Sequence, residues 1–136
     1  MAVAPLAEAS EGATIGQQSV RRFFEAVRAD DEAAYVGVAP ELVLMFAVDA
    51  GAPLAFVDAK ATFGECALLE VSREEALPAM EDFPARLSAV MSHVACPGEG
   101  GAREELKVEF LLADDRLAGV SIGDLPPVWK GRAKGG

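Results

Sequence analysis

"ELKVEFLLADDRLAGVSI", residues 105–122, decides what kind of sheet this chain builds. Leu106, Val108, Phe110 and Leu112 alternate with Lys107 and Glu109, a period of two that sends apolar and charged groups to opposite faces of a strand. "ADDR", 113–116, then reads as a turn, because Asp tolerates the left-handed backbone of tight hairpins. "LAGVSI", 117–122, is the returning strand. A hairpin at this place makes the pairing antiparallel, and the remaining segments must pack around it.

Working back from the hairpin, "CPGEGG" (96–101) is a glycine-rich break. Before it, Pro84 suits the first turn of a helix with Asp82 as its cap, and Phe83, Leu87, Val90, Met91 and Val94 follow helical spacing. That spacing predicts a helix over 84–95. Ser72 with Glu75 has the form of a capping box, though Pro78 and Pro84 forbid one unbroken helix from 73 to 95. Further upstream, "LVLMFAV" (42–48) is apolar throughout between Pro40 and Gly51 and reads as a buried strand. "PLAFVDAKA" (53–61) and "ECALLEVS" (65–72) read as two more strands of a meander.

The chain opens with "MAVAPLAEASEGA", residues 1–13, an aperiodic mixture expected to be a flexible arm. Thr14 and Gln17 form a capping box. Val20, Phe23, Phe24 and Val27 then recur at i, i+3, i+4 and i+7, opposite Arg21, Arg22, Glu25 and Arg28. Asp30 or Asp31 caps a second short helix, "EAAYV", stopped by Gly37 and Pro40. The order α-α-β-β-β-α-β-β predicts an α+β fold, a mostly antiparallel curved sheet packed against about three helices. Residues 14–124 form its single domain, and 125–136 a basic Pro/Gly tail.

At 136 residues and 51% hydrophobic composition the chain is long enough to bury a core without metal or disulfide staples. Its formal charge is −10, and the tail contributes Lys130, Arg132 and Lys134, so residues 1–129 set 9 basic against 22 acidic groups, a balance of −13. Such a body repels nucleic acid and anionic lipid. No run of 18 apolar residues suggests a membrane span, and no secretory n-region precedes Arg21. A soluble intracellular protein is expected, cytoplasmic or, if processed, organellar. Cys66 and Cys96 are too few for a disulfide framework, and either a bond or two free thiols fits them.

"SVRRFFEAVRADDEAAYVGVAPELVLMFA", 19–47, resembles the opening of the NTF2-like superfamily, its SnoaL-like members in particular. The Phe-rich helix, the "EAVRADDEAA" break and "PELVLMF" carry the likeness. The hairpin "KVEFLLADDRLAGVSI" is similar to the strand, acidic turn, strand pattern near the end of such proteins. The resemblance implies a cone-shaped cavity for a small apolar ligand in many members and a structural or partner-binding role in others. Only about 40 residues follow position 95, room for two or three strands of ordinary length, so the cone is expected to be short. In element order and acidity the chain also resembles class I type III secretion chaperones, which implies a dimer, although a Pro/Gly tail stands where that family has a C-terminal helix.

Catalysis requires convergent polar groups, and the sequence offers one histidine. On the expected helix His93 and Cys96 share a face at i+3, but two ligands make no zinc site, and no metal or cofactor is expected. The NTF2-like resemblance implies an Asp acting as base opposite a His across the cavity, which here would be Asp58 with His93. The residues themselves favour plainer readings: Asp49 as a turn residue, Asp58 as a solvent-facing strand residue. Phe24, Tyr35, Phe46, Phe56 and Phe110 would line the pocket of such a protein.

"GEGG" follows a helix in this reading, without the strand-to-helix context of a phosphate loop. The tail holds the remaining signal. Val128 and Trp129 form an apolar anchor ahead of Lys130 and Arg132, built either to fold back on the acidic body or to dock into a partner. The expected function is a non-catalytic accessory subunit that binds a protein partner or a second copy of itself, through an apolar sheet face or this tail. The alternative is a small-molecule binding protein, lyase or isomerase with an NTF2-like cavity.

Overall fold

Thr14 opens the first helix as the sequence requires: its hydroxyl accepts the Gln17 N–H at 3.1 Å, and the Gln17 side chain accepts the Thr14 N–H at 2.9 Å. This computed structural model describes residues 13–47, 50–81 and 84–125. Residues 1–12 of the arm, Val48, Asp49, Asp82, Phe83 and the segment 126–136 lie outside the described residues.

Helix α1 spans Ile15–Arg28 and buries Val20, Phe23, Phe24 and Val27. It ends on Asp30, whose φ of 58° is left-handed. The Asp30 and Asp31 amides donate to the carbonyls of Val27 and Ala26, the pair of bonds of a Schellman motif. Asp31 then caps α2, Glu32–Val38, by accepting the Ala34 N–H. Asp30 thus closes one helix while Asp31 starts the next.

Strands β1 (Val43–Ala47) and β2 (Ala50–Pro53) lead into α3, Phe56–Phe63. The expected strand over 53–61 is corrected here: Leu54 ends the extended stretch, and Ala59 and Phe63 recur at i, i+4 on the buried side of a helix. After β3 (Ala67–Val71) and the two-residue β4 (Glu75–Ala76) comes β5, Leu87–Pro97, and then β6, Arg103–Ala113, and β7, Arg116–Ile122.

The helix expected over 84–95 is therefore a strand, and the reason is burial on both faces. Val90, Ser92 and Val94 point to the helices, while Leu87 and Ala89 join a smaller apolar cluster on the other side. Without a solvated face the period-two signal vanishes, and a chance i, i+3, i+4, i+7 pattern remains. Ser72 and Glu75 form no capping box either. The Ser72 hydroxyl accepts the Met91 N–H of β5 at 3.0 Å, and Glu75 pairs with Ala89.

The fold is α+β, with three helices and a curved, mostly antiparallel sheet in the order β2-β1-β7-β6-β5-β3, β4 pairing with β5. Strands β5 and β6 pair over eleven residues each, Leu87 opposite Ala113 through Pro97 opposite Arg103. Among the described strands only β1 and β7 pair in parallel, with one isolated parallel bridge between Val108 and Gly123. The β6–β7 turn has positive φ at Asp114 (51°) and Asp115 (70°), the type I′ geometry that suits strand twist. The Asp114 side chain accepts the Arg86 N–H, and Arg86 pairs with Asp115. Register breaks between Met45 and Ala47 in β1 and between Leu68 and Glu70 in β3 interrupt both outer pairings.

Cys66 and Cys96 form a disulfide that ties the end of α3 to β5. Among the described residues no helix is long and apolar enough to cross a membrane.

Candidate functional site

The space enclosed by the helices and the sheet is filled by aromatic rings. Phe23 and Phe24 of α1, Phe63 of α3 and Phe110 of β6 contact one another at centroid separations of 5.0 to 6.0 Å, mostly edge to face. All four are at most 1% exposed, so nothing the size of water reaches them. Tyr35 of α2 lies 5.6 Å from Phe23 and 5.4 Å from Phe56. Its hydroxyl donates to the buried Leu54 carbonyl. Burial, with a smaller contribution from the Asp58 carboxylate, pushes the Tyr35 phenol up to about 12.

Of the residues expected to line a pocket, Phe24, Tyr35, Phe56 and Phe110 are brought into this one cluster, where they pack on each other. Phe46 lies in β1, and its side chain is outside the described residues. Phe63 belongs to the cluster and was missed, because its segment reads as an extended stretch followed by "TFG". The spacing of Ala59 and Phe63 is the signal that finds it.

His93 and Asp58 are set apart. Asp58 occupies the exposed side of the first turn of α3, a helix packed on the inner sheet face. His93 lies between Ser92 and Val94, both 0% exposed and turned inward, so the pleat turns its imidazole to the outer face. There its cross-strand neighbours are Glu70 and Lys107. The sheet separates the two residues. His93 and Cys96, three apart on a strand, also face opposite ways, and Cys96 is bonded to Cys66. Among the described residues no group of three or more His, Cys, Asp or Glu is placed to hold a metal ion.

Concave space is found outside the aromatic core. A cleft of about 920 Å³ opens between α1, α2 and the β6–β7 hairpin. Small side chains make room for it: Ala26 on α1 and Ala29 at its C-cap, Ala34 and Gly37 on α2, Ala113 and Ala118 on the hairpin. Two short connections hold its walls, the Schellman closure at Asp30 and the type I′ turn at Asp114–Asp115. The charged groups at the cleft are Arg22 and Arg116 against Glu25, Asp31, Glu41 and Asp115. Asp31 is engaged as a helix cap and Asp115 by Arg86. Among the described residues the lining holds no His, Cys, Lys or Tyr, and Ser19 is its one hydroxyl.

No protein-family model and no curated protein matches this sequence. Solved structures do resemble the fold. A de novo designed protein with a curved β-sheet is similar over 89% of this chain and 93% of its own, with a TM-score of 0.52 and 8% identity. An NTF2-like protein of unknown function from Burkholderia pseudomallei is similar over 80% of this chain and 89% of its own, at a TM-score of 0.46 and 16% identity. The Δ5-3-ketosteroid isomerase from Mycobacterium sp. gives 81%, 92%, 0.45 and 12% in the same measures. With identities this low the likeness concerns fold alone.

Proposed function

We propose that this protein is a small-molecule binding protein that works without catalysis, and that its ligand occupies the cleft between α1, α2 and the β6–β7 hairpin. The observation that carries the reading is the coexistence of a packed aromatic interior with an open cleft of about 920 Å³ on the other side of α1. That volume lies within the range of pockets that take drug-sized molecules. Its wall of alanines and Leu117 suits an apolar body. Arg22 and Arg116, in the same lining as Glu25 and Glu41, suit an anionic or strongly polar group. A ligand in the interior would have to displace rings that touch no solvent.

The accessory-subunit reading, polypeptide binding through an apolar sheet face, has less to draw on. One end of the outer sheet face is covered by residues of the chain itself, Leu77, Met80, Ala85 and Leu125.

The test uses 8-anilinonaphthalene-1-sulfonate, an apolar dye with one anionic group, and the variant Ala34→Trp. Ala34 is exposed on α2 and lines the cleft, so a tryptophan there fills it without disturbing the core. Saturable dye binding to the native protein, lost in Ala34→Trp while circular dichroism stays native, is the expected result. Equal binding by both forms, or none by the native protein, overturns the reading.

A further inference from the structure

Taken as a bare list, the charges lining the cleft count against an anion: Arg22 and Arg116 stand with Glu25, Asp31, Glu41 and Asp115. Two of these acids are already engaged. Asp31 accepts the Ala34 N–H at 3.1 Å at the head of α2, and the Asp115 carboxylate is paired with the guanidinium of Arg86. Arg86 itself lies outside the lining, immediately before β5. Its backbone holds it beside the β6–β7 turn, since its N–H donates to the Asp114 carboxylate at 2.9 Å and its carbonyl accepts the Asp114 N–H at 2.8 Å. Among the described residues neither Arg22 nor Arg116 forms an ion pair, so both guanidiniums remain available to a ligand. α1 begins hard against the hairpin, because a Cβ on Gly16 would meet the Leu112 side chain at 3.0 Å. Ser19 and Arg22 follow along that helix and share the lining with Arg116.

We propose that Arg86 sets the cleft's choice of ligand: by occupying the Asp115 carboxylate it leaves Arg116, with Arg22 and the Ser19 hydroxyl, to hold the anionic end of an amphipathic molecule whose apolar body lies on Ala26, Ala34 and Leu117. The inference rests on the cleft being the binding site. Asp115 and Arg116 are consecutive, with Cα atoms about 3.8 Å apart, well inside the screening length of about 8 Å at physiological ionic strength. An Asp115 without its partner would draw on the Arg116 guanidinium and repel an incoming carboxylate or sulfonate. Paired with Arg86 it does neither. A guanidinium presents a fixed fork of donors that matches a planar carboxylate, which is why two free arginines in one lining favour an anion over a neutral polar group. Arg86 touches no ligand in this scheme and acts through Asp115 as a positioning residue. Its two backbone bonds to Asp114 do not depend on its side chain, so shortening that side chain removes the charge and leaves the turn in place.

Two dyes with the same ring system test this in the full-length protein: 8-anilinonaphthalene-1-sulfonate and N-phenyl-1-naphthylamine, which lacks the sulfonate. Arg86→Gln should weaken binding of the sulfonate by about two- to five-fold relative to the neutral dye, the scale of one exposed charge pair. Adding Asp115→Asn to Arg86→Gln should restore the native ratio, because the uncompensated carboxylate is then gone. A ratio unchanged in Arg86→Gln overturns the inference and leaves the cleft reading standing. So does a loss that Asp115→Asn fails to rescue, or one that affects both dyes equally, since a loosened hairpin would be its cause. Failure of both dyes to bind the native protein, or binding that Ala34→Trp does not diminish, overturns the cleft reading itself and this inference with it.

Discussion

Asp30 and Tyr35 are two residues whose local chemistry reaches beyond their own contacts. Asp30 adopts a left-handed conformation that costs an ordinary L-residue about 1–2 kcal/mol and glycine almost nothing. Its side chain returns a little through an ion pair with Lys60 at 2.7 Å, where both groups are largely exposed and the pair is worth about 1 kcal/mol at most. Asp30→Gly is therefore expected to stabilise the protein by up to about 1 kcal/mol, read as a higher urea midpoint. A lower midpoint would mean that the ion pair outweighs the backbone strain. Tyr35 makes a prediction about pH. Its phenol is raised to about 12 in the folded state against about 10 in the unfolded chain, so the folded form favours the neutral group. The resulting stability is fully present below pH 10 and is lost as pH rises through about 12. In Tyr35→Phe that alkaline loss should vanish. The variant should also be weaker by about 1–3 kcal/mol at neutral pH, because the buried Leu54 carbonyl loses its donor.

Among the elements, the junction of α3, β3 and β5 depends on Cys66–Cys96. The bond spans 30 positions, a loop for which chain-entropy reasoning gives about 3–4 kcal/mol. Cys66→Ala with Cys96→Ala should lower stability by about that amount in urea, and the native protein should approach the variant when a thiol reductant is added. The elements that the sequence made legible are those with one wet face. α1 has its stripe opposite three arginines, and β6 has Lys107 and the exposed end of its outer face. α2 and the I′ hairpin were legible from their caps and turn residues. Residues 87–97 were not, because Leu87, Ala89, Val90 and Val94 are all buried and alternation requires a solvated face. Residues 56–63 were not, because a helix of eight with two buried positions leaves little period to detect. For the candidate site, the sequence names Phe24, Tyr35, Phe56 and Phe110 together, and the structure packs them into one cluster. Spacing tells which rings face the interior, and packing decides whether space is left between them. The cleft was invisible in advance because its signature is small side chains from three separate elements.

At the scale of the molecule, one sheet serves two unequal apolar clusters. The larger lies under the helices, and the smaller forms on the reverse face where the chain returns at Leu125. Removing Leu125 should therefore loosen β5 and β6 from behind while the aromatic core stays in place. The margins of the sheet carry a further consequence. On one side stands β2, four residues long and ending in Pro53; on the other stand β3, broken between Leu68 and Glu70, and the two-residue β4. Neither border offers the long, flat row of amide and carbonyl groups on which a foreign strand could template itself. An α+β protein with an eleven-residue hairpin at its centre carries segments able to stack into fibrils, and here β3 and β4 flank β5 while β7 flanks the Glu109–Ala113 stretch of β6. Resistance to amyloid growth follows from the irregularity of its short flanking strands.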